Sequence, residues 1–418
     1  MLRDQVSIRR RHNLSSDAST RFFALVDAMA EHQTPTTTQL DALTSSYEST
    51  AEFLSAREEF AETLIQIHPH GSRQLGTLTK PIDDSRNGFD VDLIARFSEA
   101  AWSRYSDYEG PARLLNQIQT ALADYARAHQ LELQRHDRCV TLHYAGGMCA
   151  DIAPVIDSPR VSIRYGETHG LIPDRGLKSF ESTNPRGYTR FFNEAAAISP
   201  RFPLMEKITA AMDSVRKADI VPLPNARDVF DRLLCRFVQV IKLHRNFRFG
   251  PQSGTVDLRP SSVFITTLAA QAYAIQAPQA HASPLDLLLD VVETMPRLFA
   301  RIPVGASLEE WRLPNPAAPQ SNLAAEMNLP LRQIAFDRWI EQLMQDIEAV
   351  IDAIEARAGM NEVVSAVENG FGARSGRTVR DALFAEQQAT REAGKARLFT
   401  GAPAPLVIPS RQHRFFGR

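Results

Sequence analysis

Cysteine, long apolar runs and excess charge of either sign are all scarce in this 418-residue sequence. Its three cysteines are too few for the disulfide framework of a secreted domain and fit a reducing compartment. No stretch approaches the ~20 consecutive apolar residues of a membrane-spanning helix. The basic N-terminal segment lacks the apolar region of a signal peptide. These absences lead us to expect a soluble, cytoplasmic protein with no membrane partner.

The balance of charge excludes one further class of protein. The chain carries 47 basic and 49 acidic residues, a net charge of −2, which leaves no surplus to hold nucleic acid non-specifically. Its hydrophobic fraction of 44% is enough to bury a sizeable core, so a wholly disordered chain is excluded. The length favours two packed lobes over one small domain, because domains usually span about 100–200 residues.

The first half of the sequence mixes helix and strand patterns. Residues 1–68 are mostly of helical period, and the interval Phe53–Ile67 continues that period. A strand is predicted around Phe89–Ile94, where apolar and acidic residues alternate, and a helix over Leu114–Ala128. Two strands joined by a glycine turn follow between Cys139 and Ile156. This order predicts an α+β lobe with a mixed sheet.

After about residue 200 the strand patterns disappear and a helical lobe is expected. Prolines within 303–330 mark that stretch as a surface connection. Helices are predicted over Val229–Phe247, Val263–Ile275, Leu285–Met295 and Ile334–Arg357. The resulting division is residues 1–50 as N-terminal helices, 51–215 as the α+β core, 216–395 as the helical lobe and 396–418 as a flexible tail.

Three aspartates form the most informative pattern of the sequence. Asp90 and Asp92 are two residues apart on one strand, so their side chains project from the same face. Adjacent carboxylates repel each other unless a cation lies between them, and Asp151 on a neighbouring strand supplies a third. Hard oxygen ligands of this kind favour two Mg²⁺ ions about 3.5–4 Å apart, an arrangement used for phosphoryl transfer.

Gly71 and Ser72 precede this strand and are candidates for a phosphate-binding turn. Backbone N–H groups and a serine hydroxyl at such a turn can approach phosphates closely. Taken alone, a Gly-Ser pair is an ordinary loop, and an Asp-x-Asp strand is the solvated face of an antiparallel sheet. The order of the three pieces favours the catalytic interpretation over these alternatives.

The combination resembles the polymerase-β-type nucleotidyltransferase core. More narrowly, it resembles the bacterial cyclic GMP-AMP synthase/DncV-like nucleotidyltransferases, also called CD-NTases, with their SMODS domain. The segments that carry the resemblance are His70–Pro81, Phe89–Leu93 with Asp151, Ser182–Tyr188 followed by Phe191 and Phe192, Val240–Arg245, and Arg259–Ala270. The resemblance implies a polymerase-β-like lobe with a mixed sheet plus a C-terminal helical lobe.

The resemblance also implies an activity in anti-phage defence. Such enzymes join nucleoside triphosphates, ATP among them, into cyclic di- or trinucleotides and release pyrophosphate. Asp90, Asp92 and Asp151 match the catalytic residues that bind two Mg²⁺ ions. The nucleotide-binding residues implied by the match are Gly71, Ser72, Lys242 and Ser262. Without the resemblance, Lys242 would be a solvated lysine and Ser262 a helix cap.

Two other functions stay open at this level. One is a linear oligonucleotide synthase or another nucleotidyltransferase that acts on RNA or protein; the other is a nucleotide-binding scaffold without catalysis. The C-terminal tail, which ends Phe415-Phe416-Gly417-Arg418, is a candidate docking segment for a regulatory or conjugating protein. An ordinary disordered end is the alternative for this segment.

Overall fold

The computed structural model describes residues 16–33, 36–79, 89–144, 147–158, 164–203, 233–250, 257–305, 308–392, 397–399 and 407–409. Within these ranges, no helix is long and apolar enough to span a membrane.

The described residues form α-helices along most of the chain. They are α1 (Ser16–Gln33), α2 (Thr37–Ser55), α3 (Gly71–Gln74), α4 (Trp102–Tyr105), α5 (Gly110–His129), α6 (Pro185–Ala196), α7 (Leu233–Arg248), α8 (Ser262–Gln276), α9 (Pro284–Thr294), α10 (Pro330–Glu355) and α11 (Met360–Glu392). The predicted helices over Leu114–Ala128, Val263–Ile275, Leu285–Met295 and Ile334–Arg357 correspond to α5, α8, α9 and α10 and are confirmed. For the helix predicted from Val229, residues 229–232 lie outside the described ranges.

Seven strands form one mixed sheet. Their bounds are β1 (Leu64–His70), β2 (Asp90–Phe97), β3 (Glu132–Arg135), β4 (Val140–His143), β5 (Cys149–Asp157), β6 (Gly170–Asp174) and β7 (Ser179–Thr183). The order along the main path is β1-β2-β5-β4-β3, and β6 pairs with both β5 and β7. Only β2 and β5 run parallel among these pairs; the others are antiparallel. The predicted α+β class and mixed sheet are therefore confirmed.

One face of the sheet is covered by α5. Leu114, Ile118 and Leu122 lie on one side of this helix at helical spacing, and all three are fully buried. They share a core cluster with apolar residues of β2, β4 and β5, among them Val91 and Ile152. This packing occupies one face of the sheet, and the polar residues of the central strands lie on the other.

The interval Phe53–Ile67 does not continue the helical pattern, and that prediction was wrong. Helix α2 ends at Ser55, and β1 begins at Leu64 as the edge strand beside β2. Pro69 fits this position because an edge strand needs no N–H donor on its outer side. Gly71 and Ser72 therefore follow a strand rather than a helix.

The expectation that strands end near residue 200 was also wrong. Four short strands make two antiparallel pairs: β8 (Ala300–Val304) with β9 (Leu308–Arg312), and β10 (Pro314–Asn315) with β11 (Ala318–Asn322). In two-stranded sheets every strand is an edge, so Pro303 and Pro314 cost no ladder hydrogen bond on their outer side. The proline content concealed these strands from a pattern-based prediction.

The chain separates into two compact units. One comprises residues 33–344 and contains the seven-stranded sheet and helices α2–α9. The other comprises residues 1–32 and 345–418; among its described elements are α11 and the β12 (Arg397–Phe399) and β13 (Val407–Pro409) hairpin. The sequence-based division at residues 50, 215 and 395 stays a prediction. Within the predicted tail, residues 400–406 and 410–418 lie outside the described ranges.

Candidate active site

A cavity of about 880 Å³ lies within the sheet-containing unit. All seven residues that the sequence singled out are among its lining residues: Gly71, Ser72, Asp90, Asp92, Asp151, Lys242 and Ser262. They come from five elements and span almost two hundred positions of sequence. The structure therefore brings the whole predicted set to one place, while the role of each residue stays a prediction.

The register of the sheet places the aspartates next to one another. In the parallel pair of β2 and β5, Asp92 lies directly opposite Asp151. Asp90 is two residues before Asp92 and shares its face of β2, while Val91 and Leu93 are buried on the opposite face. The expected side-by-side projection of the carboxylates is thus confirmed by the register.

The carboxylates of Asp90, Asp92 and Asp151 form an anionic cluster at the cavity. Burial, followed by the neighbouring charges of Asp151 and Asp90, raises the pKa of Asp92 to about 6, against an opposing effect of Lys242. Repulsion of this kind is relieved when a divalent cation binds between the carboxylates. The donor set therefore fits a hard, oxygen-liganded cation such as Mg²⁺.

Asp151 is held by a hydroxyl from the neighbouring strand. Thr141 of β4 lies opposite Asp151 in the antiparallel register, and its Oγ1 donates to Asp151 Oδ1 at 2.5 Å. Thr141 is only 4% exposed, so this hydrogen bond is shielded from water. The contact fixes one oxygen of the carboxylate and defines how the side chain is oriented.

Gly71 is required by the closeness of Asp92. Its φ of +64° lies in the left-handed region, and a Cβ at this position would lie 1.8 Å from Asp92 Oδ2. The glycine begins α3, a single turn, and the Thr77 N–H beyond this turn donates to the Ser72 carbonyl at 2.9 Å. The Gly-Ser pair thus lies directly against the central carboxylate.

The opposite wall of the cavity carries buried cations. Lys242 of α7 is 4% exposed, and its Nζ donates to the carbonyl oxygen of Thr77 at 3.1 Å. Burial, with a smaller contribution from the nearby Arg245, lowers the pKa of Lys242 to about 8, against an opposing effect of Asp92. Lys242 is therefore a buried residue rather than a solvated one, and the alternative of a surface lysine is wrong.

Arg245, one turn further along α7, was not assigned a role from the sequence. Its Nη1 donates to the Pro260 carbonyl at 2.9 Å and to Ser262 Oγ at 3.0 Å. The cap of α8 is Ser261, whose hydroxyl accepts from the Phe264 N–H at 3.4 Å. Ser262 is thus not the helix cap, and its oxygen is tied to the cationic wall of the cavity.

Several other residues that line the cavity were not identified from the sequence. They are His70, Thr77, Arg138, Asn246, Arg259 and Asn315, among others. The i+3 and i+4 spacing from Lys242 to Arg245 and Asn246 would have indicated one shared face of α7. Residues such as Arg138 and Asn315 reach the cavity through tertiary structure alone.

The motif at Asn184 joins the sheet to the helical part of the same unit. Asn184 caps α6 by accepting from the Gly187 N–H at 2.8 Å. Its Nδ2 donates to the carbonyls of Tyr165 at 2.8 Å and Ala317 at 3.0 Å. The Tyr188 hydroxyl pairs with Thr267 Oγ1 of α8 at 2.8 Å. These bonds fix one end of the cavity wall.

A group of side chains of the types that bind metal ions lies between α8 and α9. Ligand atoms of His281, Asp286 and Asp290 all lie within 4.8 Å of one another. His281 Nδ1 is 3.1 Å from Asp290 Oδ2, and its Nε2 contacts the Gln276 carbonyl at 2.8 Å. Burial alone would lower the pKa of His281, but hydrogen bonds to both carboxylates outweigh it and raise the pKa to about 9.

Known proteins resemble this chain in sequence. The Second Messenger Oligonucleotide or Dinucleotide Synthetase domain family matches residues 26–195. A c-di-GMP synthase of Roseivirga ehrenbergii is 28% identical over 314 residues, which cover 74% of each chain. Cyclic dinucleotide synthase CdnG of Bradyrhizobium diazoefficiens is 26% identical over 298 residues, 68% of this chain and 64% of that protein.

Solved structures agree on the fold. The structure of Bradyrhizobium diazoefficiens CdnG in complex with GTP matches with a TM-score of 0.59 and 19% identity, over 88% of this chain and 99% of that one. A complex of Escherichia coli CdnC with a HORMA protein gives a TM-score of 0.52 at 17% identity, over 84% and 96%. By its match over residues 26–195, its relatives and its fold, the chain is similar to the bacterial cGAS/DncV-like nucleotidyltransferases, the CD-NTases.

Proposed function

We propose that this nucleotidyltransferase joins two nucleoside triphosphates into a cyclic dinucleotide and releases pyrophosphate. The observation that carries the proposal is that three carboxylates line the same cavity as a buried lysine and a buried arginine. A triphosphate with bound cations complements both walls, because its negative charge meets Lys242 while the cations meet the aspartates.

Guanine is the base that we propose. Both curated relatives are cyclic dinucleotide synthases, one of them named for c-di-GMP, and one structural neighbour was solved with GTP. The structure with GTP supports GTP as a substrate, and the c-di-GMP synthase supports c-di-GMP as the product. ATP, which the sequence resemblance implied, stays a prediction and is tested by the same experiment.

The residues would divide the reaction as follows. Asp90, Asp92 and Asp151 would hold two Mg²⁺ ions, which neutralise the triphosphate charge and lower the pKa of the attacking hydroxyl when bound. The ribose hydroxyl of one nucleotide forms a bond to the α-phosphorus of the other, and the bond to pyrophosphate breaks. Asp151 Oδ2 takes the hydroxyl proton, because Oδ1 is held by Thr141. A second transfer of the same kind closes the ring.

The remaining residues position the triphosphate. Ser72 and the backbone of the α3 turn contact its phosphates beside Asp92, where Gly71 allows the close approach. Lys242, already directed at the α3–β2 connection through Thr77, contributes positive charge from the other wall. Catalysis is then mainly alignment and charge neutralisation.

A role in anti-phage signalling in the cytoplasm is a further part of the proposal, and the similarity to the CD-NTases supports it. A regulatory or conjugating protein is proposed as a partner of the C-terminal tail, residues 396–418, most of which lies outside the described ranges.

The test is a product assay with purified protein, Mg²⁺ and radiolabelled nucleoside triphosphates, alongside an Asp90→Ala/Asp92→Ala variant. We expect a phosphatase-resistant product from the wild type alone, and GTP as sufficient substrate when the others are omitted one at a time. A phosphatase-sensitive product would favour the linear synthase instead. Nucleotide binding without pyrophosphate release would favour the scaffold and contradict the proposal.

A further inference from the structure

One wall of the cavity is built from β7 and the β10–β11 hairpin. Ser182 of β7 lines it together with Ile172, Asn315, Ser321 and Leu323. Two apolar side chains and three polar ones suit a flat aromatic base, which needs apolar contact on its faces and hydrogen bonds at its edge. None of these residues belongs to the carboxylate or lysine groups assigned to the triphosphate.

Ser182 differs from the other polar residues of this wall because a buried histidine fixes its hydroxyl. His169 is 4% exposed and lies between two oxygen atoms. Its Nδ1 is 2.8 Å from the Ser158 carbonyl, and its Nε2 is 2.6 Å from Ser182 Oγ. A carbonyl can only accept, so Nδ1 carries a proton, and with the ring in its neutral form Nε2 is an acceptor.

The hydroxyl of Ser182 therefore donates its single proton to His169. Gln320 Oε1 lies 3.5 Å from the same oxygen, which is too long to compete with a contact of 2.6 Å. With its proton committed, Ser182 Oγ has only lone pairs left for the cavity. A ligand group that meets this oxygen has to be a hydrogen-bond donor.

We propose that Ser182 is a specificity-determining residue that accepts a hydrogen bond from the 2-amino group of guanine. This inference rests on the proposed function, since it concerns the base of the nucleotide that the cavity would bind. Guanine carries N1–H and the 2-amino group as donors on one edge, and the amino group extends furthest from the ring. His169 acts as the positioning residue that keeps the serine oxygen in its accepting state.

Inosine triphosphate provides the test, because its base is guanine without the 2-amino group. The wild type is expected to use GTP about 5–10-fold better than ITP in kcat/KM, as one hydrogen bond to a fixed acceptor predicts. Ser182→Ala should bring this ratio close to one by raising the KM for GTP while kcat stays unchanged. Ser182→Thr keeps the hydroxyl and should retain the preference.

Two further variants distinguish a loss of base recognition from damage to the structure. Ser179→Ala removes another hydroxyl from β7, one that donates to Glu181 Oε1 at 3.2 Å and is absent from the lining of the cavity. It should leave the GTP to ITP ratio unchanged. His169→Ala frees the Ser182 proton and should reduce the ratio only in part.

The proposal is overturned if Ser182→Ala keeps the wild-type ratio, or if it weakens GTP and ITP equally. If the wild type forms no product from either nucleotide, the proposed function fails on its own. In that event calorimetric binding of GTP and ITP decides the inference, since the same ratio is expected between their Kd values. Equal Kd values in the wild type would then refute it.

Discussion

Two regions of the sheet-containing unit bring carboxylates close together, and they differ in what balances the negative charge. At the α8–α9 junction, Asp286 and Asp290 share His281, so the group is compensated within the protein. In the cavity, burial and then repulsion by Asp151 and Asp90 raise the pKa of Asp92, and Lys242 opposes them only in part. The junction stabilises the fold, whereas the cavity retains charge that a ligand has to compensate.

Because of this difference, we expect the cavity to matter mainly for activity and the junction mainly for stability. Four substitutions test this expectation. Changes in the cavity should reduce catalysis with little loss of stability. Changes at the junction should do the reverse.

The largest effect is expected for Asp92→Asn. Loss of one ligand of the proposed metal site should lower kcat/KM by about 1,000-fold or more. The free energy of unfolding of the metal-free protein should rise by about 1 kcal/mol, because one of three repelling charges is removed. Initial-rate assays and denaturant unfolding measure the two quantities. A variant that keeps wild-type activity would refute the central role of Asp92.

Gly71→Ala should lower activity by about 100-fold, since the new Cβ displaces either the α3 turn or the Asp92 carboxylate. A matched control is Gly359→Ala, whose φ of +93° carries similar backbone strain with no described atom within 4 Å of the Cβ. That control should lose about 1 kcal/mol of stability and no activity. Equal activity losses in both variants would mean that strain, rather than contact with Asp92, is responsible.

Lys242→Met should raise the KM for the nucleotide by about 10-fold while unfolding stability stays within about 1 kcal/mol of the wild type. The methionine keeps much of the buried volume and removes a charge that burial already disfavours. Arg236→Ala, on the same helix but not among the residues lining the cavity, is the control. An unchanged KM would exclude contact between Lys242 and the triphosphate.

The smallest effect on activity is expected at the junction, where Asp290→Asn should leave kcat/KM unchanged. The pKa of His281 is raised on folding, so its contribution to stability is complete below the unfolded value of about 6.5 and disappears as the pH rises through about 9. Asp290→Asn should therefore lower the melting temperature most near pH 6.5, at a cost of about 2 kcal/mol.

The control for this prediction is Glu293→Gln on the same helix, which removes only an exposed pair with Arg297. It should change stability by less than about 0.5 kcal/mol at any pH. A pH-independent loss in Asp290→Asn would show that His281 is not protonated in the folded protein.

The sequence predicted those parts of the fold and site that depend on the regular spacing of apolar residues along the chain. Strand β2 was recognised because Val91 and Leu93 alternate with Asp90 and Asp92, and a strand buried on one face must alternate in this way. Strand β1 was missed because its apolar residues Leu64, Ile65 and Ile67 also fit a helical spacing and continue the period of the apolar residues before them.

The contacts that define the cavity could not be predicted from local pattern. Lys242 meets Thr77 across 165 positions, and Asn184 meets Ala317 across 133. The tautomer of His169 depends on two oxygens from separate segments. Such contacts follow from the register of the sheet and the docking of helices, neither of which a single sequence reveals.

The contact between Gly71 and Asp92 has a consequence for how sequences of this kind can diverge. With a Cβ position only 1.8 Å from the carboxylate oxygen, the two sites cannot change independently. A side chain at position 71 becomes tolerable only after the acid at position 92 is shortened or withdrawn, a step that removes the proposed metal ligand. Single substitutions therefore have no neutral path away from this pair, and a descendant that loses the glycine is expected to have lost catalysis first.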